Sequence, residues 1–324
     1  MPEAIKYQDC PHAIDHTPSA AASGGEVVQL GDGRAAVLPV DLASGGLGAA
    51  CAAGIWTVAK RSAEVWLKGD PIFWDHSANE ATCVPRMGAG DRDFFLGTAC
   101  ADVATGVATG KVNLNVEPRW AIDLARDPFA TVVVKTVVGS TTVEVPHVEP
   151  RGGGTTMILG TTAEAQKVDL LSERSFAVAS NWIAEGEVNI VTNGDASALD
   201  FNIGVASGTH ATDFDAIAEF VSLQVDGNSA NINAQSDDGT TDVAPVDTTL
   251  DFTAGTPFSF KIDGRDPSSV KVYIDGVRVN SATTFTLAAA AGPLKLIAHV
   301  EKTSDDSPGT FQINRLRVRT MQED

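Results

Sequence analysis

The 324-residue sequence predicts an all-β protein, and three observations carry that prediction. Apolar residues come in short runs that alternate with polar ones, the period of a strand buried on one face. Thirty glycines, many beside Asp or Ser, cut those runs where tight turns need a positive φ. Aromatic residues make up only 6% of the chain, while Val and Thr, which fit a pleated surface, recur throughout. The expected architecture has three parts. A small N-terminal β-barrel or sandwich module occupies residues 1–116, a connector with a β-hairpin 117–160, and a C-terminal antiparallel jelly-roll sandwich 161–324.

Taken in order, Val27, Val28 and Leu30 read as one short strand, Ala35 to Val40 as a second and Ile55 to Ala59 as a third. Gly24-Gly25, Gly31-Asp32-Gly33 and Gly45-Gly46 are the turns between them. Lys68-Gly69-Asp70 makes a further turn into a strand over Pro71 to Asp75, with Trp66 and Trp74 packing across it. Residues 86–94 read as a loop. Phe94 to Cys100 and Lys111 to Val116 complete the module, the latter with Val112, Leu114 and Val116 on one buried face.

The connector is punctuated by Pro118, Pro128, Pro146 and Pro150 and ends in Gly152-Gly153-Gly154. Within it, TVVVKTVV and TTVEV flank Gly139-Ser140 as a two-stranded hairpin, which must pack on something else because two strands alone are barely stable. Trp120 to Arg126 has the length of one or two helical turns. Beyond 161 come strands at Glu187–Val191, Leu199–Val205, Glu219–Val225, Phe258–Ile262, Val270–Ile274, Leu294–Val300 and Phe311–Val318. Asp275-Gly276 predicts a tight hairpin. The apolar parity slips between Ile313 and Leu316, which predicts a bulge near Asn314.

Several of these segments resemble known families. Ile14 to Pro18 (IDHTP), Gly25 to Val28, Gly54 to Val58 and Gly69 to Asp75 (GDPIFWD) resemble motifs of phage capsid decoration, or cement, proteins over roughly residues 5–116. The resemblance implies docking on the outer surface of a virion head, with the major capsid protein and further copies in a homotrimer as partners. Phe258 to Ile262, Val270 to Val279 and the closing RLRVR are similar to concanavalin- or laminin-G-like lectin sandwiches. That likeness makes carbohydrate the alternative partner, in a virion protein that adheres to host or environmental glycans.

Charge excludes other classes. The net charge of −19 divides into −5 over residues 1–116 and −14 over 117–324, the wrong sign for a nucleic-acid backbone or an anionic membrane. No run of 18 apolar residues occurs, and the polar start MPEAIKYQDC lacks the apolar core of a signal peptide. Folding in a host cytoplasm is the expectation.

Motifs for chemistry are sparse, and no enzyme activity or cofactor is expected. GVATGKV (106–112) has too few residues between its glycines and no Ser or Thr after Lys111, so it fails as a phosphate loop. Gly31-Asp32-Gly33 is a turn, with no helix to follow. Neither GxSxG nor HExxH occurs. Asp213, Asp215 and Glu219 would share one face if they lay on a strand, as paired carboxylates of a glycoside hydrolase must, but their spacing is one residue too long. Asp237, Asp238 and Asp242 in a Gly/Thr loop are candidate calcium ligands, a solvated acidic loop being the simpler reading. Cys10, His12 and His16 could touch a metal, without a second ligand cluster to match. Cys51, Cys83 and Cys100 complete the thiols, as buried thiols or disulfides. The N-terminal arm (1–12) and the connector hairpin are candidate inter-subunit contacts.

Overall fold

A computed structural model describes the chain except for residues 1–2, 7–12, 86–92, 124–132, 140–142, 150–151, 195–198, 304–305, 307 and 322–324. No helix occurs among the described residues. The chain divides into two units, residues 1–119 with 275–277, and residues 120–274 with 278–324.

The first unit opens with β1 (Ala4–Lys6), β2 (Ala13–His16), β3 (Val27–Gln29), β4 (Ala35–Val37) and β5 (Gly48–Cys51). It continues with β6 (Ile55–Ala59), β7 (Pro71–Asp75), β8 (Glu80–Thr82), β9 (Phe94–Ala99) and β10 (Thr109–Leu114). One sheet has the order β2-β5-β4-β3 and the other β1-β6-β10-β9-β7-β8. With β1 and β8 set aside, the two orders are the same. Strands β2, β3, β4 and β5 correspond to β6, β7, β9 and β10. The unit is an internal duplication.

The backbone hydrogen bonds repeat as well. Ala22 and Leu42 form an isolated antiparallel bridge in the first half, and Trp66 and Val103 do so in the second. Three residues after each bridge residue stands a glycine with positive φ: Gly25 at 89°, Gly45 at 70°, Gly69 at 86° and Gly106 at 80°. Each of these four amides donates to a distant carbonyl, to Leu38 and Pro18 in the first half and Ala99 and Ser62 in the second. The residue before the second bridge position is Asp in both halves. Asp41 Oδ1 accepts from the Gly24 amide at 2.7 Å, and Asp102 Oδ1 from the Lys68 amide at 2.7 Å. The strands after these turns end at equivalent left-handed residues, Gly54 (94°) and Asn115 (57°). Equivalent parts also meet each other: β4 touches β9, and the Leu114 amide donates to the Gly54 carbonyl. Self-contact of equivalent positions is the mark of a two-fold relation.

Trp56, Trp66, Trp74, Phe94, Leu96 and Val112 from the second half and Val27, Ala35 and Val37 from the first share one core. Neither sheet closes into a barrel among the described residues. Val116 is 44% exposed rather than on the buried face, because β10 stops where Asn115 turns left-handed. Part of the N-terminal arm is engaged within the chain. Ala4–Lys6 pairs with Trp56–Val58, and Glu3 Oε2 accepts from the Val27 amide. The expected loop at 86–94 lies largely outside the described residues.

The second unit begins with β11 (Ile122–Asp123), β12 (Val133–Val138), β13 (Val143–Glu149), β14 (Gly152–Leu159) and β15 (Gln166–Ser172). Then come β16 (Trp182–Thr192), β17 (Leu199–Ala206), β18 (Glu219–Asp226), β19 (Asn231–Asp238) and β20 (Asp242–Asp251). The last are β21 (Phe258–Gly264), β22 (Lys271–Ile274), β23 (Val277–Arg278), β24 (Lys295–Lys302) and β25 (Gly309–Thr320). An eight-stranded sheet, β13-β14-β25-β16-β21-β22-β23 with β11 beside β25, faces a seven-stranded sheet, β12-β15-β24-β17-β18-β19-β20. This is an antiparallel jelly-roll sandwich, its core filled from both sheets and including Phe201 stacked on Phe311 at 4.5 Å.

The expected bulge is present. Glu187 pairs with Arg315 and Val188 with Ile313, so Asn314 is the extra residue. Asp275 and Gly276 both have positive φ, as a two-residue hairpin turn on a twisted sheet requires. The hairpin around Gly139-Ser140 does not form. Val133–Val138 makes six cross-strand pairs with β15, whereas Val143–Glu149 makes seven with β14, in the other sheet. A preformed sheet edge stabilises a strand better than an isolated two-stranded partner can. The hairpin of this region is β13–β14, and it belongs to the sandwich. Trp120 to Asp123 is not helical. Ile122 and Asp123 pair with Val318 and Arg317, and the Trp120 ring lies 3.7 Å from the Arg317 guanidinium.

Candidate functional site

Strand alternation in the seven-stranded sheet sends Val168, Leu170, Phe201, Ile203, Val221, Leu223, Ala298 and Val300 into the core. Their neighbours face the other side, and the register sets them in rows. One row runs Lys167, Glu301, Asp200, Asp226 across four strands. The next runs Asp169, His299, Asn202, Gln224, Asn233. These polar groups are largely buried, because residues 207–218 return over that face. Phe214 and Ile217 of that segment pack with Leu171, Ala206, Phe220 and Ile297. The Phe214 ring lies 5.5 Å from His299 and 4.9 Å from Phe220.

Electrostatics there are tightly coupled. Burial alone would lower the His299 pKa, but its contacts with Asp169 (2.5 Å) and Glu301 (3.5 Å) outweigh that and raise it. Lys167 Nζ lies 3.7 Å from Asp169 and donates to the His210 carbonyl. The Asp200 carboxyl is pushed up to about 7, by burial first and then by its hydrogen bond to Asp226 and repulsion from Asp226, Glu301 and Asp215. Asp200 therefore keeps its proton, hydrogen-bonded to Asp226, up to about neutral pH. Such a pair could serve as an acid only for a substrate that reaches it, and Phe214 packs over the same sheet face beside it.

The carboxylates singled out from the sequence do other work. Only Glu219 lies on a strand, at the start of β18, where its carboxylate accepts from the Ala291 and Gly292 amides. Asp213 accepts from the Ala216 amide within a turn. The three do not line one strand face. Asp237, Asp238 and Asp242 sit on the β19–β20 hairpin instead of a loop. Asp237 pairs with Asp242 in register, which puts Asp238 on the opposite face. Against the cost of burial, amides of Thr241, Ala289 and Thr240 and the Thr286 hydroxyl hold the Asp238 carboxyl below its ordinary value. Among the described residues no three His, Cys, Asp or Glu side chains converge as a metal set. Cys10 and His12 lie outside the described residues; Cys51 and Cys83 are buried, and burial raises the half-buried Cys100 thiol. No helix among the described residues is long and apolar enough to cross a membrane.

In the first unit the surface features are the paired turns. Ala43 to Gly45 and Ala104 to Gly106 occupy equivalent places and carry no charge. Each is followed closely by an exposed apolar side chain, Leu47 at 72% and Val107 at 43% exposure. The sequence signal for this pairing is DLASG (41–45) against DVATG (102–106), which a search for internal repeats finds.

Residues 8–114 match the family model described as phage cement protein. No curated protein sequence matches the chain. Among solved structures, a family 16 endo-glucanase from Bacteroides ovatus is 9% identical, with a TM-score of 0.46 over 61% of this chain and 99% of that one. The potassium-bound carbohydrate recognition domain of Emp46p is 11% identical, with a TM-score of 0.37 over 55% and 87%. An alginate lyase of polysaccharide lyase family 7 is 16% identical, with a TM-score of 0.39 over 55% and 82%. The segment that builds the duplicated unit, residues 8–114, thus carries the sequence pattern of the phage cement protein family.

Proposed function

We propose that the chain is a structural capsid decoration protein. Its first unit docks on the outer surface of a phage head, against the major capsid protein, and the second unit is carried on that surface. The observation behind this reading is that the cement-family match, residues 8–114, covers both halves of the duplicated unit and stops where the sandwich begins. Cementing needs no catalytic group. It requires apolar and main-chain surface to be buried across subunit boundaries, opposing the pressure of packaged DNA. An acidic second unit suits an outer, solvated position and keeps neighbouring copies apart. Assembly as a homotrimer and synthesis in the host cytoplasm go with this reading. The test is cosedimentation of the purified full-length chain with mature heads stripped of decoration. Saturable binding that raises the temperature of DNA release is expected; heads that take up none of it would refute the reading.

A second reading, carbohydrate adhesion, has one observation in its favour. The buried Gln224 Oε1 has no hydrogen-bond partner among the described residues, and it stands in a row with Asn202 and Asn233. Amide and carboxylate groups of this kind pair with sugar hydroxyls. The 207–218 segment would have to move aside. A glycan array probed with the full chain decides this, a blank array removing it.

A further inference from the structure

We propose that the duplicated unit grips two equivalent copies of one shell protein, one through each turn pair, across a local two-fold of the head surface. This rests on the decoration reading and goes beyond it by fixing the number and relation of the partners.

Three features of the unit carry the inference. The halves repeat each other in strand order, in the four left-handed glycines and in the Asp41 and Asp102 caps, so a surface made by one turn pair is made again by the other. Equivalent positions touch, β4 against β9 and Gly54 against Leu114-Asn115, which places a two-fold axis between the halves. A two-fold holds equivalent points at one level along its axis, so both turn pairs can meet a single surface.

The surfaces themselves are alike in chemistry. Among the described residues the unit exposes five large apolar side chains, Val40, Leu47, Val107, Val116 and Val277. Two of them, Leu47 and Val107, fall beside the equivalent turns. The chain carries a net charge of −19, yet the tips at 43–45 and 104–106 are uncharged and the flanking carboxylates of Asp41 and Asp102 are turned to backbone amides. The companion turns differ, with an exposed Lys68 in the second half where the first has Gly24. A protein surface that accepts one such tip accepts the other. Two copies of that surface facing each other across a two-fold are the partner this arrangement fits. A homotrimer is compatible only where each of its three units reaches a separate pair.

The experiment titrates stripped heads with wild type, Leu47→Asp, Val107→Asp and the double variant, measuring bound chain per shell subunit by cosedimentation. Because Leu47 and Val107 are solvent-facing, urea unfolding of each variant should match wild type and so exclude misfolding. Loss of an interface anchor costs about 1–2 kcal/mol, so each single variant should bind about tenfold more weakly and the double should fail to bind. Wild type should saturate at one chain per two shell subunits. A silent single variant, or saturation at one chain per subunit, overturns the inference while leaving decoration intact. Failure of wild type to bind removes the decoration reading itself.

Discussion

The two halves of the first unit share a backbone and differ in what fills it. In the second half Trp66 lies over Gly110, where an added Cβ would stand 2.2 Å from the ring. The equivalent positions of the first half are Ala22 and Ala49. One large and one absent side chain in one half correspond to two small ones in the other. The second half also gains β1 and β8 at its sheet edges and most of the aromatic core. The turns, their left-handed glycines and their capping aspartates are kept, whereas core volume is redistributed. Backbone hydrogen bonding therefore defines this fold more strictly than any particular packing does.

The sharpest test exchanges one packing solution for the other. Trp66→Ala should cost about 3–5 kcal/mol in urea unfolding of the full chain, as large aromatic truncations in a core do. Gly110→Ala should cost about 1–3 kcal/mol by overpacking against the indole. The double variant, which restores the alanine pair of the first half, should be no less stable than Trp66→Ala alone. Additive losses would show that the two halves are not interchangeable in this respect.

Asn115 sharpens the comparison at the two-fold. Its side chain accepts from the Ala35 amide at 2.9 Å and donates to the carbonyls of Ala35 and Ala52 at 2.9 and 2.7 Å, joining the halves. Its counterpart Gly54 has no side chain to do this. Asn115→Gly keeps the left-handed backbone and loses the bonds, for an expected cost of about 1–3 kcal/mol. Asn115→Ala should cost about 1 kcal/mol more, since alanine is strained at a φ of 57°. Equal losses would mean that the conformation contributes nothing.

The second unit offers the contrast of a buried charge network where the first has a paired-turn surface. The folded-state pKa values of Asp200 (about 7) and His299 are both raised. A raised value means the folded state holds its proton more tightly than the unfolded chain does. The contribution of Asp200 is therefore fully present below its unfolded value and fades as pH climbs through 7; that of His299 fades at higher pH in the same sense. The sandwich should lose stability between pH 5 and 8, by at most about 1.4 kcal/mol per pH unit per proton. Asp200→Asn should flatten this slope. An unchanged profile would mean that the carboxyl titrates normally.

How much of this is visible in the sequence differs between the units. Sandwich strands such as Leu199–Ala206 and Lys295–Lys302 follow from alternation because one face of each meets the core. The Asn314 bulge is legible from a slip in parity. Alternation also marks Asn202, Gln224 and His299 as facing away from that core, but not that residues 207–218 fold back to bury them. Burial by a returning loop leaves no periodic trace. The sequence points β12 to the wrong partner because a Gly-Ser pair between two apolar runs looks like a hairpin whether or not a sheet edge waits elsewhere. The duplication is written in DLASG and DVATG, 61 positions apart and separated by dissimilar cores.

The smallest effect is the most direct measure of equivalence. Asp41 and Asp102 each accept one backbone amide at 2.7 Å, from Gly24 and Lys68. Both bonds are exposed, so replacing either residue with alanine should cost only about 0.5–1.5 kcal/mol. If the halves are one motif used twice, the two costs should agree to within about 0.5 kcal/mol, and the double variant should show their sum, since sites that share no partner add. A loss confined to Asp102→Ala would place the stability of the unit in its aromatic half and leave the first half as a passenger on it. Agreement would instead identify the capped turn as the element that was copied, with the tryptophans added to a frame that already held.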